Sequence, residues 1–351
     1  MTDFEHDLAR AATIPSSWYL DERILDREQD SIFAQTWQLV GRIDQLPESG
    51  SYLTGSIAKE PIVVVRGRDN QIRAFSAVCR HRAGPVASGE GKRASFQCGY
   101  HGWTYGLDGR LLTTSEFEGV DCFVKEDFSL PEFDLETWGP LIFVRIGDGG
   151  KSLKDSLGRI HDSIGNDRLR GYRFAMRKDW YVDCNWKVYV DNYLEGYHIP
   201  IVHPGLFREL DYANYRVETD ELFSIQHSPI ARPERLRVNN PSDEAGYFWV
   251  FPNLMLNVYP DNFSTNLIVP LGVDRTLTIF EWYFADPTSE ENKRKLDETI
   301  AFSDEIQIED IDICEAVQRG LASRTYDRGR YSVRRENGVH HFHGLLCRFL
   351  G

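Results

Sequence analysis

The chain has no apolar run long enough to cross a bilayer. Its longest, residues 62–65 and 141–144, are strand-sized, whereas a spanning helix needs about 20 apolar residues. The opening residues 1–6 are polar and acidic and lack the basic and apolar stretches of a secretory leader. A cytoplasmic protein that does not engage membranes is expected. There is no excess of basic residues either. Lys and Arg number 40 against 54 Asp and Glu, for a net charge of −14. Phosphate backbones are held by clustered cations, so nucleic acid is not an expected partner. No repeat of fixed period and no low-complexity tract appears. No glycine-rich dinucleotide fingerprint follows a strand-like segment, so NAD(P)H is expected to act only indirectly, through another protein. Cysteine is scarce, six in 351 residues. Cytoplasmic thiols stay reduced, so cysteines placed beside histidines point to metal rather than to disulfides.

A length of 351 residues suggests about two domains of roughly 100–200 residues each. Residues 1–40 read as a helical lead-in expected to pack on the catalytic domain. Residues 41–150 read as β, with short Val/Ile/Phe/Tyr runs between Gly/Asp/Asn turns; Asp108-Gly109 is a hairpin signal. Gly147-Asp-Gly-Gly-Lys-Ser152 breaks the pattern. Residues 151–351 then combine short helices, a strand near 171–182, a β region over 214–285 and a helix over 288–322. Strands and helices in separate blocks give an α+β fold class.

Two short stretches carry the first chemical signal. "VCRHRAGP" holds Cys79 and His81, and "FQCGYHGW" holds Cys98 and His101, sixteen residues apart. Each arm supplies one thiolate and one imidazole. A zinc Cys₂His₂ site usually groups like ligands in one arm. A Rieske [2Fe–2S] centre gives two thiolates to one iron and two imidazoles to the other, and two mixed arms facing each other deliver that split. Gly84, Gly99 and Gly102 would let the backbone approach the sulfurs. Cys122, Cys184, Cys314 and Cys347 lack partners at ligand spacing and read as structural.

The second signal is "NWKVYVDNYLEGYHIPIVH", residues 185–203. Trp186, Val190, Tyr193, Leu194 and Tyr197 recur at helical spacing, and His198 continues that face. Pro200 breaks the helix, which would let His203 swing back beside His198. Two histidines and a carboxylate on one face form the mononuclear non-haem Fe(II) site of oxygenases. The segment 307–315 offers Glu309, Asp310, Asp312 and Glu315. The stripe Leu296, Ile300, Ile306, Ile313, Val317 and Leu321 makes Asp310 point inward, and Asp312 outward. An inward charge is costly unless it is paired or binds metal, so Asp310 is the expected third ligand. His340, His341 and His343 form a rival metal site; the alternation there reads as a segment packing near the second domain.

These motifs together, with "PSSWY", "GYHGWTYGLDGRL", "CNWKVYVDNYLEGYH" and "EDIDICEAVQRGL", resemble the Rieske non-haem iron oxygenases of α-subunit type, most closely the choline and carnitine monooxygenase branch. The resemblance implies an N-terminal all-β Rieske domain and a C-terminal helix-grip domain with mononuclear iron. It implies a homotrimer in which the cluster of one subunit feeds the iron of its neighbour. It also implies a separate flavin/iron-sulfur reductase or ferredoxin, and O2 as cosubstrate. Glu195, three residues before His198, matches the carboxylate that bridges the two centres, with His101 its cluster-side partner. Many members have Asp there, and Cys-Pro-Tyr-His where this chain has Cys98-Gly99-Tyr100-His101. Asp191 and Asn192 are expected to support the iron ligands. Monooxygenation of a quaternary ammonium compound of choline, carnitine or betaine type is the expected activity. Its cation would need aromatic faces, for which Tyr197, Trp249, Phe251 and Trp282 are candidates. An aromatic ring-hydroxylating dioxygenase acting on an aromatic acid or hydrocarbon is the alternative. A plain Rieske electron carrier or a zinc hydrolase would leave one of the two metal motifs without a purpose.

Overall fold

The computed structural model describes residues 4–208, 210–227, 246–259 and 262–351. The chain forms two compact units, Gln29–Asp155, and Met1–Glu28 with Ser156–Gly351.

The smaller unit is built on a seven-stranded antiparallel sheet. Its order is Gln38–Arg42, Leu141–Arg145, Glu132–Trp138, Ile72–Ser76, Glu60–Arg66, Ser51–Ile57 and Glu90–Lys92. Ile62, Val63, Val64 and Val65 are all fully buried. Because side chains alternate across a strand, Ile62 and Val64 enter one core and Val63 and Val65 another. A three-stranded sheet, Phe96–Gln97, Thr104–Tyr105 and Leu111–Thr113, packs its aromatics into the second core. Its hairpin turns at Gly109, with φ +77° and the Phe75 ring where a Cβ would be, so no other residue fits there without strain.

The larger unit carries a second seven-stranded antiparallel sheet. Its order is Arg173–Val182, Arg275–Phe284, Asn262–Gly272, Leu254–Val258, Gly246–Val250, Phe223–His227 and Arg216–Asp220. Residues 228–245, within the expected β region, lie outside the described residues. A 32-residue helix, Glu290–Leu321, is capped by Ser289, whose hydroxyl accepts from Asn292 N–H at 3.2 Å, with Glu290 and Glu291 in the first turn. It is fastened to the sheet region by Lys178–Asp304 at 2.5 Å, and by Glu315 and Gln318 accepting from the Asp183 and Asn185 N–H groups.

Three local expectations need correction. The buried face of the long helix runs through Leu296, Gln307, Cys314, Gln318 and Leu321, while Val317 is exposed. Leu296 and Leu321 of the expected stripe are buried, but between them Gln307, Cys314 and Gln318 take the most inward positions, where the glutamines find hydrogen-bond partners. Asp310 keeps its inward position, three residues after Gln307 and four before Cys314. Secondly, residues 337–350 form a helix, Asn337–Leu350, not an alternating segment. Phe342, Leu345, Leu346 and Leu350 share its buried face. Thirdly, the helix expected to carry His198 ends at Tyr193, for a reason that belongs to the site.

Candidate active site

In the smaller unit the two Cys/His arms form paired turns. Cys79 N–H donates to Gly84 C=O and Cys98 N–H donates to Trp103 C=O, both at 2.8 Å. Cys79 and Cys98 are buried. The His81 and His101 ring centroids lie 4.6 Å apart, and His81 stacks on Trp103 at 4.8 Å and 11°. Burial, with His101 and Arg82 adding positive charge nearby, holds the His81 pKa below its usual value. That favours the neutral imidazole a metal requires. His81 Nδ1 is buried and makes no hydrogen bond among the described residues. A Cβ at Gly84 would lie 2.8 Å from Cys98 Sγ, so only glycine leaves the sulfur clear. Gly99 faces open space, so its difference from proline relieves no crowding. Two buried thiols, an imidazole nitrogen aimed at nothing and a cleared sulfur fit a [2Fe–2S] cluster.

Tyr105 was not singled out by the sequence. Its hydroxyl lies 3.2 Å from Cys79 Sγ and accepts from Arg80 N–H at 2.9 Å. A thiolate can only accept, so with Cys79 ligating iron the Tyr105 proton would point at the sulfur. Burial and the neighbouring Cys79 push its pKa up, so it stays a donor. Hydrogen bonds to cluster sulfurs stabilise the reduced, more negative state. Tyr105→Phe should lower the cluster's potential by about 20–60 mV, the one-electron equivalent of one net hydrogen bond, as measured by spectroelectrochemical titration.

In the larger unit the helix Trp186–Tyr193 stops because Glu195 turns back on the chain. Its carboxylate accepts from Tyr197 N–H and from His198 N–H, the latter at 3.2 Å, and so caps the next turn instead of continuing the first. His198 and His203 then bracket a single helical turn, Ile199–Val202, with Pro200 near its start. Their ring centroids lie 5.0 Å apart. Asp310 Oδ1 is the convergence point: 2.9 Å from His203 Nε2, 3.8 Å from His198 Nε2 and 2.6 Å from Asn192 Nδ2. Among the described residues, His198, His203 and Asp310 are the one group of three His/Cys/Asp/Glu side chains whose ligand atoms all lie within 4.8 Å of one another. This donor set fits a mononuclear iron with open positions.

Both imidazoles are oriented by a carboxylate on the far nitrogen. His198 Nδ1 lies 2.6 Å from Glu195 Oε1, and His203 Nδ1 lies 2.7 Å from Glu309 Oε2. Such contacts fix the tautomer and ring direction of metal-binding histidines. Burial alone would lower the His203 pKa, but Asp310 and then Glu309 outweigh it and hold it above the usual value. A metal there must displace that proton. Glu309 was considered in the sequence only as a rival ligand; its contact with His203 is a tertiary fact that periodicity does not carry.

Asn192 reaches Asp310, but Asp191 does not reach the histidines. It accepts from Tyr19 OH at 2.6 Å and lies 3.0 Å from His343 Nε2, while His343 Nδ1 meets Tyr331 OH at 2.6 Å. His340 instead contacts the Glu5 carbonyl, so the rival histidine cluster does not converge on a metal. Beside this network, Glu28 accepts from Lys187 Nζ and Trp186 Nε1, both at 2.7 Å, with Glu28 and Lys187 fully buried.

The three side chains open onto a cavity of about 210 Å³. Of the expected aromatics only Trp282 lines it. Trp249 and Phe251 pack in the core against Phe342, and Tyr197 is exposed. Tyr193, Tyr247, Tyr259, Phe280 and Phe302 supply the aromatic wall instead.

The Rieske [2Fe–2S] domain family matches residues 36–124, and the family described as ring hydroxylating alpha subunit (catalytic domain) matches residues 167–351. Choline monooxygenase, chloroplastic, from Arabidopsis thaliana is 37% identical over 97% of this chain and 83% of its own length. The carnitine monooxygenase oxygenase subunit of Escherichia coli (strain K12) is 31% identical over 96% and 93%. Among solved structures, the quaternary ammonium Rieske monooxygenase CntA in complex with L-carnitine superposes with a TM-score of 0.85, at 28% identity over 98% of this chain and 97% of that one. Another structure of CntA concerns carnitine oxidation and inter-subunit electron transfer. Naphthalene 1,2-dioxygenase, at 18% identity over 100% and 96% and a TM-score of 0.78, shares the fold.

Proposed function

Because the chain belongs to the Rieske ring-hydroxylating oxygenase α-subunit family, we propose that it monooxygenates a small quaternary ammonium compound. The observation that carries this is the cavity. Its wall combines Tyr, Phe and Trp faces with the carboxylates of Glu195 and Asp310, and among the described lining residues there is no Lys or Arg. Aromatic faces and carboxylates attract a cation. An aromatic acid would meet like charge, and an aromatic hydrocarbon would leave the polar wall unused.

Cys79, His81, Cys98 and His101 would hold the [2Fe–2S] cluster, and His198, His203 and Asp310 the mononuclear iron. Bound there, the cluster would supply single electrons and the iron would activate dioxygen, for a reaction that puts one oxygen atom into a substrate C–H bond and releases the other as water, with two electrons and two protons consumed. The chain's own residues do the rest. Glu195 and Glu309 aim the two imidazoles, and Asn192 holds the carboxylate of Asp310. The aromatic wall binds the ammonium and excludes water from it. Glu195 is also the proposed link to the cluster of a neighbouring subunit in a homotrimer. The exposed apolar side chains Tyr197 and Ile201 beside Glu195, and Tyr100 beside His101, support a contact there. A separate reductase or ferredoxin would deliver the electrons. The cytoplasm is the proposed location; none of the described helices is long and apolar enough to cross a membrane, and no disulfide joins any of the six cysteines.

A substrate panel with a generic reductase tests the reading. Oxygen uptake should match product formation for one of choline, carnitine or the betaines, and not for aromatic acids. Coupled turnover of an aromatic acid alone would overturn it.

A further inference from the structure

The helix Trp186–Tyr193 carries a second polar network, which the proposed chemistry does not use. Asp191 accepts from Tyr19 OH at 2.6 Å and lies 3.0 Å from His343 Nε2; Tyr19 OH lies 3.1 Å from the same nitrogen. About one turn earlier Lys187 pairs with Glu28 at 2.7 Å, and its ammonium lies 5.5 Å from the Tyr19 ring. Tyr19, Glu28, Lys187 and His343 are all buried. Burial and then the Asp191 carboxylate push the Tyr19 pKa up, so its hydroxyl stays a donor. The N-terminal lead-in and the C-terminal helix, distant in sequence, thus converge on one side of this helix.

Helical rotation separates that side from the one that serves the metal. Lys187 and Asp191 lie ~40° apart around the axis, and Asn192 lies ~100° beyond Asp191. Asn192 Nδ2 donates to Asp310 at 2.6 Å, and Tyr189 OH donates to Gln307 on the same long helix. The carrying helix has only eight residues. A roll of about 15° would move a side-chain tip ~5–6 Å from its axis by about 1.5 Å, enough to part Asn192 from Asp310. Apolar packing is non-directional and resists such a roll weakly, whereas hydrogen bonds require alignment. We propose that Asp191 is a positioning residue: held by Tyr19 and His343, it sets the roll of this helix and so delivers Asn192 to Asp310. This rests on the proposed iron site of His198, His203 and Asp310, and adds to it a residue that touches none of the three.

The test is a double-mutant cycle on ferrous iron binding, measured by anaerobic Fe(II) titration of the cluster-loaded protein. Asn192→Ala should weaken binding about tenfold, and Asp191→Ala by a similar factor. The double variant should be no weaker than Asn192→Ala, because the two residues act in series. At saturating iron, the EPR lines of the ferrous site's nitric oxide adduct, which report ligand arrangement, should change in the same way in both single variants. The Rieske EPR signal should stay as in the wild type. Wild-type affinity in Asp191→Ala, different nitric oxide spectra in the two single variants, or losses that multiply to about 100-fold in the double variant would overturn the role of Asp191 while the iron site stands. Should Asp191→Ala fail to fold, Tyr19→Phe decides, since it removes one donor and keeps the ring. It should weaken iron about threefold, the equivalent of a weak net hydrogen bond, and cause no further loss in the Asn192→Ala background. No loss in the first case, or the same loss in both, overturns the proposal. If the wild type takes up no ferrous ion beyond the cluster, the iron site itself fails, and this inference with it.

Discussion

Asp310→Asn is expected to strip the mononuclear iron while leaving the cluster intact. Iron beyond the two of the cluster should fall from about one per chain to near zero, and coupled turnover by at least about 100-fold, since even changes behind the ligands cost roughly 10–100-fold. The geometry makes this variant a change of charge and not of shape. Asparagine keeps an Oδ1 that can accept from Asn192 Nδ2, now at 2.6 Å. It loses the negative charge that His203 and His198 face at 2.9 and 3.8 Å, and with it the hard anionic donor that ferrous iron needs. The cluster arms lie in the other compact unit, Gln29–Asp155, so the Rieske absorption and EPR signals should be unchanged. Metal analysis beside EPR separates the outcomes. Glu309→Gln is the control: it touches His203 only through Nδ1, at 2.7 Å, and should weaken iron retention by about tenfold without abolishing it. Full iron in Asp310→Asn with loss in Glu309→Gln would transfer the ligand role one residue back.

That contrast shows where the sequence was legible. The Cys/His arms were plain because their spacing is local and their chemistry narrow. Asp310 could be chosen over Asp312 because helical rotation separates them, even though the buried face runs through Gln307, Cys314 and Gln318 and not through Ile313 and Val317. The fold class followed from blocks of strands and helices. What stayed hidden depended on contacts between distant segments. Periodicity carried the helix past Tyr193, because nothing in the pattern shows a glutamate turning back to cap Tyr197 and His198. Asp191 was read with Asn192 as a support for the metal, but adjacent helix positions are rotated by ~100°, and Asp191 meets Tyr19 and His343 instead. The aromatics of the cavity were mostly misjudged for the same reason. Which face of a strand looks inward is readable, but which inward residues border a void and which fill it depends on packing from distant segments, as Phe342 packs on Trp249 and Phe251.

Glu195→Gln should leave both metals bound and slow re-oxidation of the reduced cluster by roughly 10–100-fold in a single turnover with substrate and O2, followed by stopped-flow absorbance of the Rieske band. The expectation depends on the glutamine staying where the glutamate is, and three segments hold it there. A Cβ on Gly338, in the C-terminal helix, would collide with the Leu194 carbonyl oxygen. A Cβ on Gly196 would meet the Tyr215 ring at 2.7 Å. Tyr215 is pinned in turn by Arg335, which donates to its carbonyl at 3.1 Å. The turn carrying residue 195 is thus packed on both sides, and an isosteric side chain has no other place to go. What changes is the group facing His198 Nδ1 at 2.6 Å: a carboxylate that holds the imidazole as a donor becomes a neutral amide. An amide oxygen still accepts that hydrogen bond, so the iron is retained, but the negative charge proposed to couple the two centres is gone. Unchanged re-oxidation would reduce Glu195 to a capping residue for the His198 turn. Loss of iron together with activity would make its role the orientation of His198 alone, and the path between subunits would have to run through another group.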